Sequence, residues 1–310
     1  MTNQKKYRTF CKTRNDIPIF SQPFWLDAVC AAGRWHVCLV EEKENIVGCL
    51  PYFVTKEKGF KVIRMPLLTP YLGVQIFYPD TLAQKKKIAF EQKITAQLIE
   101  QLPKTSYIQI IHHPDFKNWL PFHWANFQQT TMYTYRLNIK NIDSVFSNFR
   151  KNLKRNINAV SQHLKCIETD DLDLFYRINQ TTFSRQSLKM PYTFDFFRHL
   201  DERLKKNNRR IIFTTFDKNN TPLASGYFIW DNQTAYYLAG GHIGHREAMS
   251  CTMWHAIQYF SKKVQFFDFE GSMNKNIAHF FSGFGGDLTP YHHVYKGKNK
   301  FIDLLKMLKS

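Results

Sequence analysis

The chain has 310 residues, 44% of them apolar and 22% charged, with a formal net charge of +18. That balance excludes a disordered chain and supplies core material for one large domain or two ordinary ones. No stretch approaches the ~18 consecutive apolar residues of a membrane span, and "MTNQKKYRTFCKTRND" at the start holds no signal-peptide core, so a cytoplasmic protein is expected.

Along the first half, "PIFSQPFWLDAVCAAG" (18–33) reads as a helix ending near Gly33. Residues 35–66 carry β-branched runs broken by "EKEN" and "KEKG", which predicts two or three antiparallel strands with tight turns. Ile88, Ile94, Leu98 and Leu102 recur at helical spacing over 82–102. "SYIQIIHHP" is a short strand closed by proline, and "DFKNWLPFHWANF" (115–127) a short helix.

A second pass then begins. Residues 144–164 place Phe149, Leu153, Ile157, Val160 and Leu164 on one helical face, with Arg150, Lys151, Lys154 and Arg155 off it. "LKCIET" is a strand, and helices follow over 171–186 and 192–208. Residues 209–242 read as three strands turning at "DKNN" and "DNQ". The order closes with a helix over 248–263, a strand "VQFFDFEGS" (264–272), a helix over 274–286 and a strand "LTPYHHVYKG" (288–297). The two halves share this order of elements, so the expected fold is α/β: tandem domains, 1–140 and 141–310, each a mixed, mostly antiparallel sheet flanked by helices.

Six cysteines at 11, 30, 38, 49, 166 and 251 form no C-x-x-C pair, which argues against a disulfide framework or a zinc ribbon. His112–His113 and His292–His293 are strand neighbours facing opposite sides, and His242 and His245 lack partner ligands, so no metal site is expected. No P-loop or G-x-S-x-G elbow occurs. The excess of 43 Lys and Arg over 25 Asp and Glu recurs in "QKKKIAFEQK", "FRKNLKRN" and "RLKKNNRR". It is either a field for polyanions or the solvated surface of a Lys-rich chain.

Asp268 and Glu270 lie two apart in a strand reading, so both face one side, where burial unpaired is costly. A strand end opening into a cleft makes such acids useful: one can take a proton from an attacking amine, and a neighbouring like charge raises its pKa. The alternative is structural, with Asp268 accepting backbone N–H groups and Glu270 paired to a cation. Gly271 permits a sharp turn, and Ser272 is a candidate cap for a helix starting near Asn274 or a substrate contact.

Three segments, "TAYYLAGGHIGHREAMSCTMWHAI", "FFDFEGSMNKNIAHFFSGFGG" and "NFRKNLKRNINAV", together with "FSQPFWLDAV", resemble the GNAT superfamily of N-acyltransferases, in its FemAB-like, double-GNAT branch. The resemblance implies an active second domain, a first domain that is structural, and acetyl-CoA or another acyl-CoA as donor. It places the donor's pyrophosphate at the turn Gly240, Gly241, His242, Gly244, His245, Arg246, although "GGHIGHREA" departs from the usual acyl-CoA signature. Glu270 and Asp268 become candidate bases and Tyr291 a candidate acid for a leaving thiolate. The loop "TFSRQSLKMPY" offers Arg185, Gln186 and Tyr192 to an acceptor amine on a small molecule or peptide. A second implied reading is a Fem-type ligase carrying an aminoacyl group from tRNA to a cell-envelope precursor. A third is a non-catalytic scaffold that binds a polyanion.

Overall fold

The computed structural model describes residues 1–30, 34–185 and 187–297. The chain divides into two compact units, one running to Met132 and resuming at Pro290, the other spanning Tyr133–Thr289. The sequence expectation of a single boundary at 140 differs in giving the last strand to the second domain.

In the first unit, α1 (Asn3–Lys12) starts at Thr2, whose side chain accepts the Lys5 N–H, and α2 covers Pro23–Val29. Strands β1 (Arg34–Glu42), β2 (Asn45–Glu57) and β3 (Phe60–Arg64) form an antiparallel meander. The short β4 (Gln75–Ile76) pairs with β2. The helix α3 (Lys87–Glu100) presents Phe90, Ile94 and Leu98 to Cys38, Val40, Val47 and Leu50 of the meander. Of the stripe expected over 82–102, Ile94 and Leu98 are buried and Leu102 packs partly buried against the same cluster, whereas Ile88 is exposed and Phe90 takes its place. Strand β5 (Tyr107–Ile111) joins β3 in parallel, and α4 is confined to Leu120–Trp124. Of the helix expected over 18–33, the described residues hold a 3-10 turn at Ile19–Ser21 and α2, because Pro23 starts a new helix at its first position; the expected end near Gly33 lies outside the described residues.

The second unit takes up the rest of β6 (Gln128–Asn138), then α5 (Ile142–Ser147), α6 (Lys151–Ser161), β7 (Lys165–Thr169), α7 (Leu172–Arg185) and α8 (Phe194–Lys206). It continues with β8 (Arg210–Phe216), β9 (Pro222–Trp230), β10 (Thr234–His242), α9 (Arg246–Ser261), β11 (Phe266–Asp268) and α10 (Lys275–Ser282). The chain then enters β12 (Asp287–Gly297), whose last residues pair with β5 in the first unit. The second unit's sheet runs β6-β11-β10-β9-β8-β7 and is antiparallel except at β11–β10.

Helices cover both faces of this sheet, so β9 is buried at every position but its ends. On one face, Leu153 and Ile157 of α6 and Met253, Ile257 and Phe260 of α9 pack on Phe213, Phe228 and Phe267. On the other, Phe175 of α7 and Phe197 of α8 meet Tyr227 of β9. The α6 stripe is the one read from the sequence, with Lys151 and Arg155 outside it and exposed. Strand β6 went unassigned in the sequence reading. Its alternating "QQTTMYTYRLN" is the signal that finds it.

Candidate active site

Strands β10 and β11 pair only from Thr234↔Phe266 to Tyr236↔Asp268, and then part. Strand β11 ends at Asp268, six residues before β10 does on its own strand, rather than running to 272 as expected. The reason is local. The Glu270 N–H donates to Asp268 Oδ1 at 2.7 Å, and Glu270 and Gly271 both adopt left-handed φ, 59° and 67°. A Cβ on Gly271 would stand 2.1 Å from the Tyr133 carbonyl oxygen, so only glycine fits the turn. Strand alternation therefore does not govern Glu270.

Asp268 is fully buried and tied to β6: Thr134 Oγ1 donates to its Oδ1 at 2.5 Å, and Arg136 Nε stands 3.7 Å from its Oδ2, an ion-pair rather than a hydrogen-bond distance. Both partners come from β6. Its arrangement is that of a structural clamp, the alternative already open in the sequence. Glu270 differs. Its Oε1 is buried with no hydrogen-bond partner among the described residues. Burial raises its pKa well above the ordinary 4.5, and the Asp268 charge raises it further.

Beside the parting strands stands Tyr237, which the sequence reading did not single out. Burial raises its pKa, and Tyr192 and then Glu270 add to the rise, so the phenol lies within electrostatic reach of both. Strand β10 bulges between Tyr237 and Ala239, and a Cβ on Gly240 would stand 2.6 Å from the Tyr237 hydroxyl. The signal that could have found it is a tyrosine in "YYLAGG", immediately before small residues that leave its hydroxyl room.

Gly241 also serves packing: its Cβ would stand 2.3 Å from Thr182 Oγ1 and 2.7 Å from the Ile178 carbonyl, both on α7. Gly244 alone of the three turn glycines has a left-handed φ, 72°, with open space around it. The His245 N–H is engaged by the Ile243 carbonyl, and α9 begins without a side-chain cap. Arg185 donates to His242 Nδ1 at 3.1 Å. Burial, then the charges of Arg185 and Arg246, lower the His242 pKa to about 4, so this ring is a neutral acceptor at neutral pH.

Tyr192 is buried against Phe197, its hydroxyl accepting Asn179 Nδ2 at 2.6 Å. Gln186 lies outside the described residues. Ser272 does not cap α10. Asn274 does, accepting the Asn276 and Ile277 N–H groups, while Ser272 Oγ accepts the Asn274 N–H. Tyr291 lies in the first unit, buried edge-on against Tyr71 at 5.1 Å. Among the described residues no cluster of His, Cys, Asp or Glu is composed to hold a metal ion, and no helix is long and apolar enough to cross a membrane.

Residues 147–274 match the family model described as an acetyltransferase (GNAT) domain. No curated protein sequence matches the chain. Among solved structures, the chain is similar to FemX, with TM-score 0.69 and 12% identity over 94% of this chain and 96% of that one. It is also similar to the C-terminal domain of a putative lysylphosphatidylglycerol synthetase from Agrobacterium fabrum, at 0.57 and 9% over 90% and 89%. L-PGS from Bacillus licheniformis follows at 0.52 and 8% over 94% and 97%. At these identities the likeness is one of fold.

Proposed function

Starting from a chain with a GNAT domain over 147–274 and a FemAB-like tandem fold, we propose that it is an N-acyltransferase whose second unit transfers an acyl group from acyl-CoA to an amine. The observation that carries the reading is Glu270: a half-buried side chain of raised pKa whose Oε1 is buried without a hydrogen-bond partner among the described residues, held where β10 and β11 separate. A carboxyl shifted upward in this way is suited to accept a proton near neutral pH.

In this reading Glu270 takes the proton from the amine as its nitrogen attacks the acyl carbonyl. A backbone N–H beside the β10 bulge holds the carbonyl oxygen as charge develops on it. The Tyr237 hydroxyl gives a proton to the departing sulfur, and proton return from Glu270 restores both groups. Tyr237 thus takes the role first considered for Tyr291. Arg185 and the neutral His242 offer a donor and an acceptor at the adjoining edge. An acyl-CoA would lie along the freed edge of β10 toward the start of α9, where Gly244 leaves backbone space.

One observation favours a second reading, an aminoacyl group delivered from tRNA. Lys151 and Arg155 on α6 are exposed and make no ion pair among the described residues, as a phosphodiester backbone requires. Calorimetric titration with acetyl-CoA, free CoA and bulk tRNA, at low and moderate salt, separates the two. CoA binding that survives salt supports the acyl-CoA reading. Salt-sensitive tRNA binding without CoA binding replaces it with the aminoacyl reading, and silence from all three overturns both donors.

A further inference from the structure

The first unit carries a basic, aromatic tip that its own core does not use. Strands β2 and β3 are joined at Lys58 and Gly59, and both residues have left-handed φ, 48° and 83°. Two such residues make the tight hairpin turn whose twist matches that of its strands, so the tip is held in one shape. Across it Glu57 pairs with Phe60, and Lys56 with Lys61. Phe60 is 63% exposed, and burial in β3 begins only at Val62.

Two features set this tip apart from an ordinary solvated surface. One is the ring itself: the turn asks for no aromatic, and leaving one in water is unfavourable. The other is charge. Lys56 and Lys61 stand directly opposite each other, where like charges weaken strand pairing. Neither of them, nor Lys58, makes an ion pair among the described residues, and all three are exposed. Glu57, the acid of the hairpin, is engaged by Arg64, whose Nε and Nη2 donate to it at 2.6 and 2.9 Å. The Ser106 N–H donates to the Lys61 carbonyl at 2.9 Å, so the loop before β5 brings exposed Lys104 to the same end of the sheet.

We propose that the β2–β3 hairpin docks on an anionic lipid surface, with Phe60 among the acyl chains and Lys56, Lys58, Lys61 and Lys104 on the headgroups. Charge complementarity selects this partner: a single ring ringed by ammonium groups matches a boundary that is apolar below and negative above. The lysine stems reach along the apolar layer while their heads stay at the phosphates. One ring and four lysines give reversible attachment, not insertion across the bilayer. The proposal gives part of the +18 net charge a location and a partner. It does not rest on the acyltransfer reading, because the hairpin belongs to the first unit and Glu270 to the second.

The test is sedimentation of the full chain with vesicles of phosphatidylglycerol and phosphatidylcholine in equal parts, against vesicles of phosphatidylcholine alone, at low and moderate salt. The wild type should bind the anionic vesicles only, and less tightly as salt rises. F60S should lose at least about tenfold in affinity, and K58Q about fivefold. K218Q, which alters an exposed lysine in the turn between β8 and β9, should bind as wild type. F60S and K58Q both change exposed side chains, and circular dichroism should show them folded as wild type. No binding of the wild type to anionic vesicles overturns the proposal. So does F60S binding as wild type, or equal losses in K58Q and K218Q. Binding of an RNA hairpin that K58Q weakens, with no binding to vesicles, replaces the lipid surface with nucleic acid. E270Q should bind the vesicles as wild type even if its activity shows the acyltransfer reading to be wrong.

Discussion

The Oδ1 atom of Asp268 accepts the backbone N–H of Glu270 at 2.7 Å. One carboxylate thereby sets the backbone that carries the other. Asp268, tied to Thr134 and Arg136, holds the turn, while Glu270 Oε1 is buried without a hydrogen-bond partner among the described residues. The consequences of that division can be measured.

Glu270→Gln should lower acyl transfer by about 10²–10⁴-fold, the usual worth of a positioned base. It should also change stability. Because the folded pKa is raised above 4.5, the unfolded chain releases a proton above that pH which the folded chain keeps. Wild-type stability therefore falls as pH rises from 4.5 until the folded carboxyl itself ionises, with a slope of at most about 1.4 kcal/mol per pH unit. Urea melts across this window should show the slope in wild type and its loss in the variant. An E270Q protein with the wild-type slope and full activity would sink the assignment.

Asp268→Asn should behave in the opposite sense. It removes the charge facing Arg136 and puts an amide among three donors, at a cost of about 1–3 kcal/mol. Chemical denaturation should show it less stable than wild type, with activity lost through disorder of the 268–272 turn. A variant as stable as wild type would mean that the clamp contributes nothing.

The glycines divide by cause. Gly271→Ala meets both a left-handed φ and a carbonyl oxygen 2.1 Å away, and should cost at least about 3 kcal/mol. Gly241→Ala must push α7 from β10 and should cost about 1–3 kcal/mol. Gly244→Ala has open space and only the strain of its φ, about 1 kcal/mol. Melting temperatures of the three should fall in that order.

Tyr237→Phe keeps the ring against Phe281 and removes the hydroxyl beside Gly240. Turnover should fall roughly ten- to hundredfold, with the smaller loss for donors whose leaving group needs no proton. A loss independent of the leaving group would reduce Tyr237 to a packing residue.

Much of this protein was legible before any coordinates. The buried stripe of α6, and Ile94 and Leu98 of α3, were set by apolar spacing, and such spacing is local; Ile88, at the start of α3, is exposed, with Phe90 buried instead. The acid–Gly–Ser run after "FFDF" marked the corner by composition alone, since a carboxylate and a glycine at a strand end have few bland uses. What the sequence could not reveal was which carboxylate was tied to a neighbouring strand. That was decided by Thr134 and Arg136, residues more than 130 positions away on a strand that went unassigned. Nor could glycine content tell a phosphate cradle from a helix contact, because the atoms facing Gly240 and Gly241 belong to Tyr237, Ser225 and α7. Spacing along a chain specifies which way a side chain points. Desolvation, hydrogen-bond partners and pKa depend on what other segments bring to that point, and only the tertiary structure assembles those neighbours.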